Sequence, residues 1–599
     1  MCGLCAIFSY GSAAPPVAES ELLGIRDAMV SRGPDGAGLW VGEEGRIGLG
    51  HRRLSIIDLS TGAAQPMSLD GGRLRITYNG EIYNYRALRR ELEDQGRVFR
   101  TGSDTEVLLH LYDALGPAMA ERLRGMFAFA LWDRERQGLF LARDPFGVKP
   151  LYVADDGKTL RCASQVKALL AGGGVDRAPD PAGHVGFFLF GSVPEPHTLY
   201  AAIRPLPAGG TLWVDRSGTH REGRFFDLGE TLAGTEDETP APLDLRRAFK
   251  DSVFHHLVAD VPVGVFLSSG IDSAALTGLA SEEHGAGLAT VTLGFDEFEG
   301  TPRDETPLAE TIAALYGADH ETVRVAGKDF AKDLGAVFAA MDQPTIDGVN
   351  VYFVAKAAAQ KGLKVALSGL GGDELLCGYD TFSHIPRLVG ALGWMPGGRG
   401  LGRSLRMVSA SLAHGLGSPK AAGILELGTR FGDAYLLRRG LFMPWELGRV
   451  LDPGMAREGW RALEPLALLN ATENNIEGPL RKVAALEMTW YMRNQLLRDA
   501  DWAGMAHSLE IRTPLVDVDL FGRLADVLGR GAGPNKLAMA RTPKEPLPEA
   551  VLNRPKTGFF VPVRQWLREK NDGEQARGEQ ERGLRGWAKQ VYAAQTGAL

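Results

Sequence analysis

Apolar and polar positions alternate with a period of two along 73-RLRITYN-79 and 126-MFAFALW-132. That period puts every second side chain on one face, so both stretches are predicted as strands with one packed side. In 151-LYVADDGKTLRCAS-164 the pair Asp156-Gly157 separates two such runs, which predicts a hairpin. Residues 84–95 and 104–115 carry the spacing of amphipathic helices, the second starting at Asp104. The implied layering is two antiparallel sheets held between helices, with Phe127, Phe129 and Trp132 in the core. Residues 215–242 are polar, acidic and turn-rich apart from Phe225-Phe226, the pattern of an inter-domain connection. Beyond them a helix from Leu243 leads into short apolar runs near 261–267, 288–295, 320–325 and 364–367, which alternate with helical patterns near 305–316, 329–341 and 350–362. Strand–helix alternation of this kind predicts a parallel sheet covered on both faces. Residues 385–480 look helical but carry no motif, and 571–599 read as a tail, polar at first and then weakly amphipathic, a frayed helix in the first reading and a partner contact in the second. The divisions expected are therefore 2–214, a linker at 215–242, 243–570, and the tail.

Two of the apolar runs end in the same way. In 261-VPVGVFLSSGIDSAAL-276 and 364-KVALSGLGGDELLCGY-379 a strand breaks into serines and glycines, an acid follows, and helix formers come next. Free N–H groups at a helix start, approached closely through glycine, make an anion site. Ser268, Ser269, Gly270 and Ser273 are candidates to hold two linked phosphates, and Asp272 and Asp373 are placed to offer hard oxygen ligands to Mg²⁺. The first loop lacks the Gly-Lys-Ser/Thr ending of the Walker pattern. Its SxGxDS form resembles the loop of enzymes that cut ATP between the α and β phosphates.

Composition narrows the setting. The chain of 599 residues is long enough for two to four cores. Its 44% hydrophobic and 23% charged residues are those of an ordinary globular protein. A net charge of −8 argues against a nucleic-acid or anionic-membrane partner, no apolar run reaches membrane-span length, and no leader pattern opens the chain. Four cysteines do not make a disulfide framework, so a cytoplasmic location is expected.

The first residues are Met1-Cys2-Gly3, and a small second residue lets the initiator be removed. Cys2 would then have an α-amino group titrating near ~8 as general base for its own thiol. Cys2 and Cys5 have CxxC spacing, but no second ligand pair accompanies them. In order there follow 32-RGPDG-36, 51-HRRLSIIDLS-60, 78-YNGEIYNY-85, 102-GSDTE-106 and 125-GMFAFALWD-133. This set, over about residues 2–190, resembles the class II glutamine amidotransferase domain, an N-terminal-nucleophile hydrolase. The resemblance implies that Cys2 attacks the glutamine amide, with Asn79 and the Gly80 N–H as oxyanion hole. It implies Arg53 on the substrate α-carboxylate, and Asp104 and Glu81 on its α-ammonium. Ser31 stands where relatives often have histidine.

With 500-ADWAGMAHSLEIRTPLVD-517 and 553-NRPKTGF-559 added, the whole chain resembles the glutamine-dependent asparagine synthetase family. The implied fold is an α+β N-terminal-nucleophile (αββα) domain followed by an α/β doubly wound parallel-sheet ATP-pyrophosphatase domain. The implied reaction frees ammonia from glutamine and passes it through an internal channel to the β-carboxylate of aspartate, activated as its AMP ester. ATP and Mg²⁺ are the implied cofactors, and a homodimer is the implied assembly. By position, the backbones of Leu267 and Leu293 contact adenosine, Ser368 and Gly369 lie beside the nucleotide, and Lys556 stabilises charge on the α-phosphate. Asp501 and the segment after it are expected to wall the acceptor pocket, with Arg512 either a ligand contact or a buried structural pair. Leu370 departs from the usual glutamate between the two glycines of the second loop. Another carboxylate, such as a surface-polysaccharide precursor, is therefore the alternative acceptor. A non-catalytic nucleotide- or glutamine-binding paralogue is the third reading, against which the intact Cys2, Asn79, Asp104, Asp272, Asp373 and Lys556 speak.

Overall fold

A computed structural model describes residues 2–234, 243–394, 400, 402–404, 406, 420–528, 535–555, 562, 566 and 583–597. Twelve strands build the N-terminal half: β1 Gly3–Ser9, β2 Gly36–Gly42, β3 Ile47–Arg53, β4 Met67–Leu69, β5 Leu74–Ile82, β6 Gly125–Asp133, β7 Gly138–Arg143, β8 Tyr152–Asp155, β9 Thr159–Ala163, β10 Arg204–Pro205, β11 Gly210–Asp215 and β12 His220–Arg224. They form two six-stranded sheets, ordered β10-β8-β9-β1-β3-β2 and β12-β11-β7-β6-β5-β4, and every pairing within them is antiparallel. Alternation decides what each side chain meets. Leu4, Ala6 and Phe8 of β1 pack between the sheets against Ala128, Ala130 and Trp132 of β6. Cys5 and Ile7 face outward into the cluster of the helix Glu19–Asp27, while Phe127, Phe129 and Leu131 join the core on the other side. The hairpin closes Tyr152 on Ala163 and Asp155 on Leu160, and Gly157 at φ +82° turns it.

The predicted linker is shorter than its polarity implied. Residues 220–224, all exposed, pair with β11 as an edge strand, and Leu228–Ala233 is a helix. An edge strand exposed on both faces has no apolar alternation to betray it. The Phe225-Phe226 pair is part of the seam between halves: Phe226 lies 5.5 Å from Phe146 and 6.2 Å from Phe521 between ring centres.

The C-terminal half carries β13 Val263–Phe266, β14 Ala289–Phe295, β15 Asp319–Val325, β16 Val365–Leu367 and β17 Glu510–Arg512, parallel throughout and ordered β15-β14-β13-β16-β17. The chain winds outward from β13 in one direction, then restarts at β16 and winds in the other. β13 and β16 thus flank the switch point where α/β sheets bind ligands at their strand ends. The region 385–480 supplies helices, among them Phe431–Arg439, Pro453–Leu463 and Pro465–Thr472. Pro453–Leu463 packs on the helix Pro181–Phe190 of the N-terminal half. The tail is not frayed: helix Leu584–Thr596 buries Trp587, Ala588 and Val591, and Arg585 forks Glu446 at 2.8 and 3.0 Å. Its apolar residues recur at helical spacing, a stripe too short to stand out from the polar run before it. Among the described residues no helix is long and apolar enough to cross a membrane.

Buried charge also ties the halves together. Arg124 forks Asp517 with two contacts of 2.9 Å and reaches Asp251 and Asp519 at 2.9 and 3.2 Å. Asp517 is 3% exposed and caps its own helix by accepting from the Leu520 N–H. Arg124→Ala is expected to strand that carboxylate at a cost of about 3–5 kcal/mol. Differential scanning calorimetry should show a lowered or split thermal transition, whereas Asp519→Asn, at the exposed edge, should move it little.

Candidate functional site

Cys2 is held from three sides. Its N–H donates to Asn79 Oδ1 at 2.9 Å, its carbonyl accepts from Arg32 Nε at 3.0 Å, and its thiol points to the Leu54 carbonyl at 3.8 Å. Burial pushes the thiol up. Because Asn79 Oδ1 is taken, the amide Nδ2 is left aimed away, fully buried and with no hydrogen-bond partner among the described residues. An orphaned buried donor is costly unless a ligand oxygen completes it. Gly80 gives the backbone room: a Cβ there would lie 2.2 Å from the Met126 carbonyl. Arg53, at the end of β3, is fixed by the carbonyls of Ser60 (2.8 Å) and Asp58. Carbonyls orient a guanidinium without neutralising it, which keeps its charge for an anion.

The two carboxylates expected beside an ammonium differ in state. Asp104 opens the helix Asp104–Leu115, whose N-cap Ser103 accepts from the Thr105 N–H, and it accepts from Tyr78 Oη (2.9 Å) and the Ile82 N–H (3.1 Å). Burial pushes it up to about 6, held from rising further by those donors. Glu81 instead shares the strand face of Asn79 and points into the seam, 3.5 Å from Arg512 Nη2. Burial and the neighbouring Glu510 hold its carboxyl well above the usual range.

In the C-terminal half a cavity of about 540 Å³ opens at the switch point. Its walls include every nucleotide candidate named from the sequence: Leu267, Ser268, Ser269, Gly270, Asp272, Ser273, Leu293, Ser368 and Gly369, with Leu370 and Asp373 beside them. The register explains the convergence, since Val263 pairs with Val365 and Val265 with Leu367, so both loops leave the sheet level. Ser273 Oγ braces the first loop by contacts to Ser268 N (3.1 Å) and Oγ (2.8 Å). The helix Ile271–His284 starts at Gly270 with no side-chain cap, leaving its first N–H groups for an anion. In the second loop Gly371 has φ +92°, a left-handed position where a Cβ would also strike Val516 at 2.5 Å.

Asp272 and Asp373 face one point. Lys536 Nζ sits there, 2.7 Å from Asp373 Oδ1 and bonded to Asp272. Its ammonium marks a place where the pair accepts positive charge. Among the described residues no group of three metal-ligating side chains occurs. Two carboxylates fit Mg²⁺ only when phosphate oxygens and water complete its six positions. Lys536 was not legible in advance: it is a single lysine in an otherwise apolar stretch. Arg554, which the RPKTGF segment also carries, is bonded to Ser269 Oγ, whereas Lys556 lies outside the described residues.

The cavity is also lined by Asp347, Glu374, Tyr379, Tyr491 and Asp499. Burial and Asp373 push Glu374 up to about 7, and its carboxylate accepts from Tyr379 Oη at 2.9 Å. Burial and Asp347 raise Asp499 well above the usual carboxylate range. Asp501 does not wall this pocket. It turns to the N-terminal half, where Arg32 forks it at 2.6 and 3.0 Å. Arg512 is the buried structural pair, bonded to Glu510 at 2.7 Å and to the carbonyls of His256 and Val258. Ser31, the departure before RGPDG, presents its carbonyl to Ser508 Oγ at 2.7 Å across the seam.

With a cation on the Asp272–Asp373 point the Lys536 ammonium would be released to the phosphates, so Lys536→Ala is expected to weaken binding of pyrophosphate in the presence of Mg²⁺ by about tenfold, one charge-assisted contact. Isothermal titration of pyrophosphate into the two proteins measures it, and equal affinities would refute the assignment of Lys536 to this site.

Residues 1–226 match the glutamine amidotransferase domain family and residues 244–581 the asparagine synthase family. Over 575 residues the chain is 34% identical to glutamine-hydrolysing asparagine synthetase 1 of Bacillus subtilis, covering 95% of this chain and 88% of that protein. It is 30% identical over 509 residues to asparagine synthetase 3 of the same organism, covering 82% and 75%. Against asparagine synthetase B of Escherichia coli it is 32% identical over 408 residues, covering 64% and 66%. Two domain matches in the order of the two sites, and a relative aligned over nearly the whole length, place the chain in the glutamine-hydrolysing asparagine synthetase family.

Proposed function

We propose that the chain converts L-aspartate, L-glutamine, ATP and water to L-asparagine, L-glutamate, AMP and diphosphate, with the acceptor carboxylate activated as its AMP ester. The observation that carries this reading is the convergence of both strand-end loops, with Asp272 and Asp373, on one cation-accepting point at the mouth of a single cavity.

At the N-terminal site, removal of Met1 would leave the Cys2 amine to take the thiol proton. The thiolate attacks the glutamine amide carbon, and Asn79 Nδ2 with the Gly80 N–H receives the charge on oxygen. Arg53 holds the α-carboxylate. Asp104 and Glu81 take the ammonium, and Asp104, held to about 6 by its donors, brings the charge to it at neutral pH. At the second site the serines and free N–H groups of the first loop hold the diphosphate, Leu267 and Leu293 flank adenosine, and Asp272 and Asp373 would hold Mg²⁺. That ion supplies charge neutralisation along the phosphates. Lys556 takes the α-phosphate in this reading. Leu370 brings no proton relay to the acceptor, so the acids beyond it are left to orient the amino acid. Ammonia passed between the sites through the interior would stay unprotonated.

Cys2→Ala is expected to abolish glutamate release while ammonia-dependent, aspartate-stimulated release of pyrophosphate continues. ADP and orthophosphate in place of AMP and pyrophosphate would sink the scheme, and stimulation by other carboxylates but not aspartate would reassign the acceptor. A second check uses pH. Below about 6 Asp104 takes a proton, so KM for glutamine should rise as pH falls through that value, by up to about tenfold per unit. Asp104→Asn should show a high KM with no such slope.

A further inference from the structure

A side chain of the synthetase half is joined to the Cys2 backbone of the other half through one arginine. Arg32 ends the short 3₁₀ turn Val30–Arg32 and is fully buried. Its Nε donates to the Cys2 carbonyl at 3.0 Å, and Nη1 and Nη2 donate to Asp501 at 2.6 and 3.0 Å. A guanidinium is planar, so a carboxylate that takes both outer nitrogens also fixes where the inner one points. The Cys2 carbonyl is therefore registered against Asp501, which lies 469 residues beyond Arg32 along the chain. The backbone beside Arg32 has no slack, since a Cβ on Gly33 would lie 2.3 Å from the Arg52 carbonyl carbon.

Asp501 is itself held by a stiff support. It lies on the helix Arg498–Met505, which continues from an eleven-residue π-helical stretch, Glu487–Leu497. Trp502 is 2% exposed, and its Nε1 donates to Asp499 Oδ1 at 2.8 Å, while Thr345 Oγ1 donates to Asp499 Oδ2 at 3.0 Å. The same helical run grips the N-terminal half elsewhere: Arg498 donates to the Val193 carbonyl at 2.7 Å, and Asn494 accepts from the Glu195 N–H at 3.0 Å. Tyr491, Leu496 and Asp499 of this run line the nucleotide cavity. One helix thus forms a wall of the second site and, two residues beyond Asp499, the anchor of the first.

We propose that Asp501 is a positioning residue for glutamine hydrolysis, acting through Arg32 on the Cys2 backbone. The inference rests on Cys2 being the glutaminase nucleophile. A shift of the nucleophile by about 1 Å is enough to cost up to about a hundredfold in rate, whereas glutamine binding depends on Arg53 and Asp104, which Asp501 does not touch.

The test compares the full-length wild type with Asp501→Asn and Asp501→Glu. It follows glutamate release for kcat and KM, ammonia-dependent pyrophosphate release, and the rate of Cys2 alkylation by iodoacetamide read by peptide mass spectrometry. Asp501→Asn should lower glutaminase kcat by about tenfold or more with KM for glutamine changed less than about twofold. It should alter the Cys2 alkylation rate and keep ammonia-dependent turnover, and Asp501→Glu should restore part of kcat. Unchanged glutaminase kcat and alkylation would overturn the proposal. So would a parallel loss of ammonia-dependent turnover, which would mean that Asp501 only holds the halves together. A wild type that releases no glutamate at all would instead refute the function on which the inference rests.

Discussion

β13 and β16 lie side by side, in parallel and in register, and the second site follows from that pairing. Parallel neighbours end at the same edge, so the serine loop after one and the glycine loop after the other must share a space. Packing them there brings the carboxylates of Asp272 and Asp373 together, an arrangement that like charges oppose. The structure meets the repulsion with a lysine ammonium between them. The feature that makes the place unfavourable for an empty protein is the one that makes it favourable for a cation with phosphates. Glycine is required where the loops touch: a Cβ on Gly372 would lie 2.6 Å from the Asp272 carboxyl carbon.

The seam between the halves obeys a different economy. It buries Arg32, Arg512, Glu81, Glu510, Asp501 and Asp517, groups that are rarely found so far from water. Each arginine there answers a carboxylate from elsewhere in the fold and is completed by backbone carbonyls or further acids. A buried pair of this kind adds little net stability over an apolar contact, but losing one partner is severe. Orientation is what such pairs provide. Aromatic contact supplies the cohesion, through Phe146, Phe226 and Phe521, and the ionic forks decide at what angle the halves meet.

How far the sequence could be read depended on whether a residue's role is local. The phosphate loops were legible because strand, glycines, acid and helix start follow one another along the chain. The hairpin at Asp156-Gly157 and the helix from Asp104 were legible for the same reason. Asp501 was misassigned because a carboxylate's place in a recognisable segment does not say which way it points, and its partner lies in another domain. Lys536 depends on two loops more than 160 residues before it. The π-helical turn at Glu487–Leu497 shifts its side chains off the 3.6-residue period, so periodicity alone could not assign Tyr491 to the cavity. β12 escaped because five exposed residues in a row, none of them apolar beyond a glycine, resemble a linker until the partner strand is known.

The acids of the two sites show why a residue type does not fix a role. Asp104, Glu81, Glu374 and Asp499 are all buried, so desolvation raises each of them, and what separates them is company. Asp104 has a phenol and a backbone N–H donating to it, and such donors stabilise the charged form. Glu81 has a guanidinium at 3.5 Å, but that guanidinium is already bonded to Glu510 at 2.7 Å, so burial and the Glu510 charge hold the Glu81 carboxyl well above the usual range. Asp499 has two donors, yet Asp347 opposes its charge. Held to about 6 by its donors, Asp104 can act as a fixed anion at neutral pH. Another, Glu374, stands near the midpoint of its titration, beside Asp373 at the end of the phosphate loop. Burial and the Asp373 charge put it there, so it is the neighbour along the chain and not the residue type that sets its state.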